Sequence, residues 1–172
     1  LYPKITEQKF TDAVKDLTIF IGKKQKNAGD ILLENNRYKI MVESKDYKKS
    51  LPKKEIDKFI RDHKSHPEYN ASILINLHEE IACHNNLQLE EVDGRFVMYL
   101  SNYDDNPSII RMVITILEQL IDRKNTQGDV STFLDTISDF LKNNNEIIKK
   151  NKGQLKKLDE YYDFTKKNIQ GN

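Results

Sequence analysis

Three charged residues in the first half of the chain have the types needed for metal-assisted chemistry: Asp30, Glu43 and Lys45. Carboxylate oxygens are the side-chain ligands that hard divalent cations such as Mg²⁺ prefer. A cation of this kind polarises a phosphoryl oxygen and acidifies a water molecule. A lysine ammonium can stabilise negative charge that develops beside it. Such chemistry requires the three side chains to meet at one point.

A β-hairpin is predicted to bring these side chains together. Its tight turn is placed at Asn35-Asn36, a residue type that tolerates the left-handed conformations of hairpin turns. Side chains alternate between the two faces of a strand, so Glu43 and Lys45 share a face. A two-residue loop places Asp30 opposite Met41, which makes Asp30 the diagonal neighbour of Glu43. We interpret the point where the three charges meet as the active site.

The rest of the chain alternates helical and buried-strand patterns. Apolar spacing predicts helices over residues 5–20, 54–63, 109–123 and 130–169. Continuous apolar runs predict strands buried on both faces over residues 71–77 and 95–100. Residues 78–94 are predicted to be irregular, with a turn at Asp93-Gly94. This order favours an α/β fold, with a mixed β-sheet flanked by helices and a C-terminal helical extension.

Two parts of the chain differ in pattern. Residues 1–124 hold the predicted sheet and form the core domain. Residues 125–172 form a helical tail, which is predicted to pack on the core or to mediate oligomerisation, as in a homodimer through the C-terminal helices. The chain begins with Leu1 rather than Met, which indicates a fragment of a longer chain or a processed end.

Charge is unevenly distributed although the net charge is only +1. Residues 1–70 carry 16 Lys and Arg against 11 Asp and Glu, and residues 71–172 carry 12 against 16. An anionic partner is expected at the basic half, although a generally lysine-rich surface explains the excess equally well. The single cysteine, Cys83, excludes an intramolecular disulfide and favours an intracellular location over secretion. No apolar run is long enough to span a bilayer, so no membrane partner is expected.

The order helix–β–β–helix–β–β, with Asp at the start of one strand and Glu-x-Lys at the end of the next, resembles the PD-(D/E)xK nuclease superfamily. That superfamily has the restriction-endonuclease-like fold. The motif here is Gly29-Asp30 followed by Glu43-Ser44-Lys45, and the resemblance covers about residues 5–123. The chain is most similar to a group from bacteria, phages and large DNA viruses, in which long coiled helices flank the nuclease core. One departure is that no proline precedes Asp30.

The resemblance implies a metal-dependent nuclease that hydrolyses phosphodiester bonds, with DNA as the expected substrate and RNA left open. Asp30, Glu43 and the backbone carbonyl of Ser44 would bind Mg²⁺ or Mn²⁺. Lys45 would orient the attacking water or stabilise the developing negative charge.

The resemblance also implies residues outside the hairpin. Members of the superfamily often add a carboxylate from the first helix, and Glu7 is the candidate here, with Asp12 and Asp16 behind it. Cationic side chains that follow the hairpin are expected to contact phosphates without reading sequence. They are Lys48, Lys49, Lys53, Lys54, Lys58 and Arg61.

Three other interpretations stay open. Glu43 and Lys45 could form an exposed ion pair, with Asp30 a turn residue. The chain could be a catalytically inactive nuclease-fold module that serves as a nucleic-acid-binding or protein-interaction scaffold. A zinc site is the weakest alternative, because the spacing of its potential ligands fits no common zinc pattern; they are His63, His66, Cys83 and His84.

Overall fold

The computed structural model describes residues 18–21, 29–102 and 107–170, which form a six-stranded mixed sheet with helices beside it. The strands are β1 (Thr18–Ile21), β2 (Ile31–Glu34), β3 (Lys39–Lys45), β4 (Ala71–Asn76), β5 (Leu87–Val92) and β6 (Arg95–Ser101). The helices are α1 (Lys53–Ser65), α2 (Pro107–Asn125) and α3 (Val130–Gln170). The predicted α/β class and the C-terminal helix are therefore confirmed.

The strands are arranged in the order β1-β2-β3-β4-β6-β5. β4 is parallel to both β3 and β6, and the other neighbouring pairs are antiparallel. All six residues of β4 are buried, which explains its continuous apolar pattern. A parallel pair needs a crossover connection, and α1 supplies it between β3 and β4.

The crossover helix α1 covers the sheet face that also carries the candidate site. Its buried Ile56 and Phe59 belong to one core cluster with Met41 of β3 and Leu74 of β4. The ring of Phe59 meets Tyr99 of β6 edge-on, with 6.3 Å between the ring centres. The apolar stripe of α1 thus seats the helix directly over β3, β4 and β6.

The long apolar helix α2 is tied to the loop of the β2–β3 hairpin. The Tyr38 side chain is buried and its hydroxyl donates a hydrogen bond to Glu118 of α2. Arg37 forms an ion pair with Asp122 at 3.1 Å. Burial and the bond to Glu118 raise the pKa of Tyr38. These contacts fix the conformation of the hairpin loop from outside the hairpin.

The predicted two-residue turn at Asn35-Asn36 is wrong, and the hairpin register differs by two residues as a result. Leu32 pairs with Met41, and Glu34 pairs with Lys39. The side-chain oxygen of Asn35 accepts hydrogen bonds from the amides of Arg37 and Tyr38, so the loop covers four residues. A shift of two residues keeps every side chain on its original face.

Two strands were not predicted. The expected helix over residues 5–20 does not extend through Thr18–Ile21, which pair with β2 as strand β1; its remaining residues lie outside the described ranges. The β-branched and aromatic residues of this segment favour a strand. Residues 78–94 were expected to be irregular, yet Leu87–Val92 form β5. β5 lies at the sheet edge, where polar side chains are tolerated, so its pattern resembled a loop.

The other predicted elements agree with the structure. Helices α1 and α2 and the buried strands β4 and β6 contain the ranges expected for them to within one residue. The turn at Asp93-Gly94 joins β5 to β6, with φ of 50° and 72° at its two central residues. Positive φ at both positions is characteristic of the type I′ hairpin turn.

The chain separates into two compact units, Leu1–Ser138 and Asp139–Asn172. The boundary lies within α3, a helix of 41 residues. The predicted role of the tail in packing or oligomerisation stays a prediction. None of the helices in the described ranges is both long enough and apolar enough to traverse a lipid bilayer.

Candidate active site

The candidate site lies at the end of β3, where β3 extends beyond its pairing with β2. The β2–β3 register ends at Ile31 and Val42, so Glu43, Ser44 and Lys45 lie past the start of β2. On their other side these residues pair with β4 up to the Lys45–Asn76 position. The carboxyl ends of parallel strands are where open α/β sheets commonly bind ligands. The last three residues of β3 thus pair with β4 on one side and lie past the end of the β2 pairing on the other.

Asp30 lies on the side of β3 that β2 leaves unpaired, and it is bonded to the main chain on both sides of Glu43. Its amide donates to the carbonyl of Val42 at 2.9 Å. Its carboxylate Oδ2 accepts a hydrogen bond from the amide of Ser44 at 2.8 Å. The sequence prediction placed Asp30 opposite Met41; the structure instead bonds Asp30 to Val42 and Ser44, the residues on either side of Glu43.

Gly29 makes this close approach of Asp30 to β3 feasible. Its φ is +75°, a conformation that L-residues rarely adopt. A Cβ atom at this position would lie 2.6 Å from Cγ of Met41 and 2.9 Å from the carbonyl oxygen of Val42. The Gly-Asp pair therefore has a physical basis, because only glycine allows the chain to turn and lie this close to β3.

The main chain of Ser44 contributes a further oxygen on the same side. In a strand, the amide and carbonyl of one residue point toward the same neighbour. The Ser44 amide points to Asp30, so the Ser44 carbonyl is directed to the same side of β3 as Asp30. The Lys45 carbonyl points the opposite way and accepts from the amide of Leu77 at 3.0 Å.

Four side chains form an alternating row of charges at this end of β3. Lys45 Nζ lies 2.5 Å from Glu43 Oε1 and 3.5 Å from Glu55 Oε2. Lys58 Nζ lies 3.8 Å from the same Glu43 oxygen. Glu43 is only 8% exposed. Glu55 and Lys58 come from consecutive turns of α1, so the crossover helix completes a site that begins on β3.

Lys45 is held in its charged form by these neighbours. Burial by itself lowers the pKa of a lysine, because it disfavours the charged form. Here the hydrogen bond and negative charge of Glu43, together with Glu55 and Asp30, outweigh the effect of burial, and the pKa of Lys45 lies above its ordinary value. Lys45 therefore carries a positive charge at neutral pH while it contacts these carboxylates.

Asn76 keeps the segment after Lys45 in place. Its side chain is fully buried, accepts from the amide of Tyr47 at 3.1 Å and donates to the carbonyl of Glu79 at 2.7 Å. These two bonds join the segments that follow β3 and β4. Asn76 could not be identified from the sequence, because a lone asparagine at the end of an apolar run is indistinguishable from a loop residue.

The donor set fits a hard divalent cation. Asp30, Glu43 and the Ser44 carbonyl provide only oxygen atoms, and Mg²⁺ is commonly bound through one or two carboxylates with several waters retained. Within the described ranges no three His, Cys, Asp or Glu side chains form a metal-binding group. A cation here would therefore depend on two carboxylates, main-chain oxygen and water. The proposed third carboxylate, Glu7, lies outside the described residues, as do Asp12 and Asp16.

The six predicted phosphate-binding residues are all exposed. Lys58 reaches the site through its contact with Glu43. Lys54, Lys58 and Arg61 are spaced by four and three positions on α1, so they share one face of the helix. Lys53 lies at the start of the same helix. Lys48 and Lys49 lie in the segment that joins β3 to α1.

The zinc alternative finds no support among the described residues. His63 is fully buried, and its Nδ1 lies 2.7 Å from the hydroxyl of Ser72. His66 pairs with Glu68 at 2.7 Å. Burial, together with the nearby charge of Arg95, lowers the pKa of His63, so a neutral, hydrogen-bonded core histidine accounts for it.

Glu55 is the charged group at the site that sequence reasoning missed. An acidic residue in the first turn of a helix is common, because it interacts favourably with the helix dipole. The only available signal was the order of elements, since the crossover helix is the next element after β3.

No protein-family model matches this chain, and no curated protein matches it either.

Proposed function

We propose that this chain is a metal-dependent nuclease that hydrolyses phosphodiester bonds, with DNA as its substrate. The observation that carries the proposal is the position of Asp30, which is bonded to Val42 and Ser44 on either side of Glu43. Two carboxylates and the ammonium of Lys45 therefore lie at the same end of β3. The resemblance of Gly29-Asp30 and Glu43-Ser44-Lys45 to the PD-(D/E)xK nuclease motif points to the same chemistry.

Each group has a distinct task in this proposal. Asp30, Glu43 and the Ser44 carbonyl hold Mg²⁺ or Mn²⁺, which supplies Lewis-acid activation of the phosphate and of water when it is bound. Lys45, charged at neutral pH, stabilises the negative charge that develops on the phosphate and orients the attacking water. The hydrogen bonds of Asp30 to the main chain keep its carboxylate in place before substrate arrives.

The exposed cations of α1 support a polyanionic substrate. Lys54, Lys58 and Arg61 lie along one helix face, and Lys58 is next to Glu43. Such a face can follow a phosphate backbone without reading bases. Substrate would therefore approach along α1 toward the end of β3.

The test is incubation of the full chain with linear duplex, circular duplex and single-stranded DNA, and with RNA, each with Mg²⁺, Mn²⁺ or chelator. We expect cleavage that requires the metal. Glu43→Gln is preferred to Ala at this position, because it retains volume and a hydrogen-bonding partner for Lys45. Glu43→Gln and Lys45→Ala are expected to lower the rate about a hundredfold or more. Glu68→Gln, which removes an exposed carboxylate paired with His66, is the matched control and should leave cleavage unchanged.

Absence of cleavage of every substrate with either metal, or equal cleavage by wild type and both site variants, would defeat the nuclease proposal. Metal-independent DNA binding without cleavage would favour the inactive scaffold instead. Cleavage of circular DNA would identify an endonuclease, whereas cleavage limited to linear DNA would identify an exonuclease.

A further inference from the structure

The charge row at the end of β3 contains one carboxylate more than cation binding requires. We propose that Glu55 is a positioning residue that takes over Lys45 when a divalent cation binds Glu43. This inference deepens the proposed function and rests on it, because it assumes that Glu43 is a cation ligand. It assigns a role to a side chain that lies on a different element from the hairpin.

Lys45 and a cation compete for the same carboxylate. The ammonium of Lys45 lies 2.5 Å from Glu43 Oε1. A divalent cation on that carboxylate would stand within a few ångströms of the ammonium, where like charges repel strongly. Cation binding at Glu43 therefore weakens this contact and favours movement of Lys45 away from Glu43.

Glu55 is placed to receive the displaced ammonium. Its Oε2 atom already lies 3.5 Å from Lys45 Nζ. The side chains of Lys45 and Glu55 are only 18% and 20% exposed, so water alone would solvate the charge poorly. A largely buried ammonium without a partner is costly, and the flexible lysine stem allows the short movement that avoids this.

The exchange leaves Lys45 charged and inside the site. Glu55 is carried by the first turn of a regular helix, so its position does not depend on the hairpin. Lys58 is also released from Glu43 by the same event, and its side chain is 46% exposed. It is then free to contact a substrate phosphate.

Any carboxylate near the site attracts a cation through its charge alone. Two variants distinguish this effect from the proposed positioning of Lys45. Glu55→Asp keeps the charge but shortens the side chain, so it removes the reach to Lys45. Glu55→Gln is also made in a Lys45→Gln background, in which the residue that Glu55 is proposed to position is already absent.

The test is Mn²⁺ affinity of the full chain, measured by titration calorimetry, after circular dichroism has shown that each variant is folded. We expect Glu55→Gln and Glu55→Asp to weaken Mn²⁺ binding about tenfold, as expected for loss of a hydrogen bond to a charged group. In the Lys45→Gln background the same two changes should alter affinity less than about twofold. Asp57→Asn removes an exposed carboxylate from the same helix and is the matched control, with an expected change below about twofold.

Equal losses with Lys45 present and absent would show that Glu55 acts through charge alone, and the inference would be overturned while the metal site stands. Normal affinity in Glu55→Asp would overturn it in the same way. Failure of wild type to bind Mn²⁺, or an affinity unaffected by Glu43→Gln, would instead remove the proposed function and this inference together.

Discussion

Gly29→Ala tests whether the close approach of the chain to β3 holds the site together. At φ +75° an L-residue costs about 1–2 kcal/mol, and the lower entropy of the unfolded alanine chain returns about 0.4–1 kcal/mol. The added Cβ would also lie 2.6 Å from Met41 Cγ and 2.9 Å from the Val42 carbonyl oxygen. Overpacking of this kind costs about 1–3 kcal/mol. We therefore expect Gly29→Ala to lower the free energy of unfolding by about 1–4.5 kcal/mol, with a midpoint of about 3 kcal/mol.

Gly94→Ala is the matched control for this prediction. Gly94 has φ +72°, but the nearest atom to a new Cβ there is the flexible Lys124 Nζ at 3.6 Å. Only the conformational cost applies at Gly94, so the expected loss in the free energy of unfolding is about 1 kcal/mol. Urea unfolding followed by far-ultraviolet circular dichroism measures both variants. Equal losses at Gly29 and Gly94 would refute the argument that the contact with β3 matters, because they would leave only the effect of φ.

Two further predictions concern pH and salt. Burial lowers the pKa of His63 in the folded state, so its contribution to stability is complete above its ordinary pKa of about 6.5 and is lost as pH falls below that value. The free energy of unfolding, measured between pH 7.5 and 5.5, should fall in wild type and in the exposed control His78→Gln. It should fall less in His63→Gln, and equal pH slopes in all three proteins would contradict the role of His63. Lys58→Gln should reduce the salt dependence of DNA binding by about one unit of slope. Lys64→Gln, whose side chain pairs with Asp93, should not, and equal slopes would exclude Lys58 as a phosphate contact.

The central elements of the fold were predictable because their patterns are local. β4 is buried on both faces, and α2 carries an apolar stripe, so each has a strong periodic pattern. The edge strands β1 and β5 were missed for the opposite reason. β5 carries polar residues, which an edge strand tolerates, so it resembled a loop; the four residues of β1 were included in the helix predicted over residues 5–20.

The candidate site was predictable in part, because an error of two residues in the β2–β3 register leaves each strand side chain on its own face. Glu43 and Lys45 share a face in any register. The position of Asp30 depended on the loop length, which is set by the Asn35 side chain and by the bond of Tyr38 to Glu118. That partner is 80 positions away in the sequence, so no local pattern could reveal it. A register error of one residue would have moved every β2 side chain to the opposite face, whereas the actual error of two did not.

The bond between Asp30 and Ser44 also determines how much chain entropy the site costs to assemble. It joins residues 14 positions apart, whereas the bond between Tyr38 and Glu118 joins residues 80 positions apart. Closure entropy grows by about 0.6 kcal/mol for each doubling of loop length, so the shorter loop costs about 1.5 kcal/mol less to close. The two carboxylates and Lys45 thus meet through a short loop, which costs less entropy to close than the long-range contact that holds the hairpin loop.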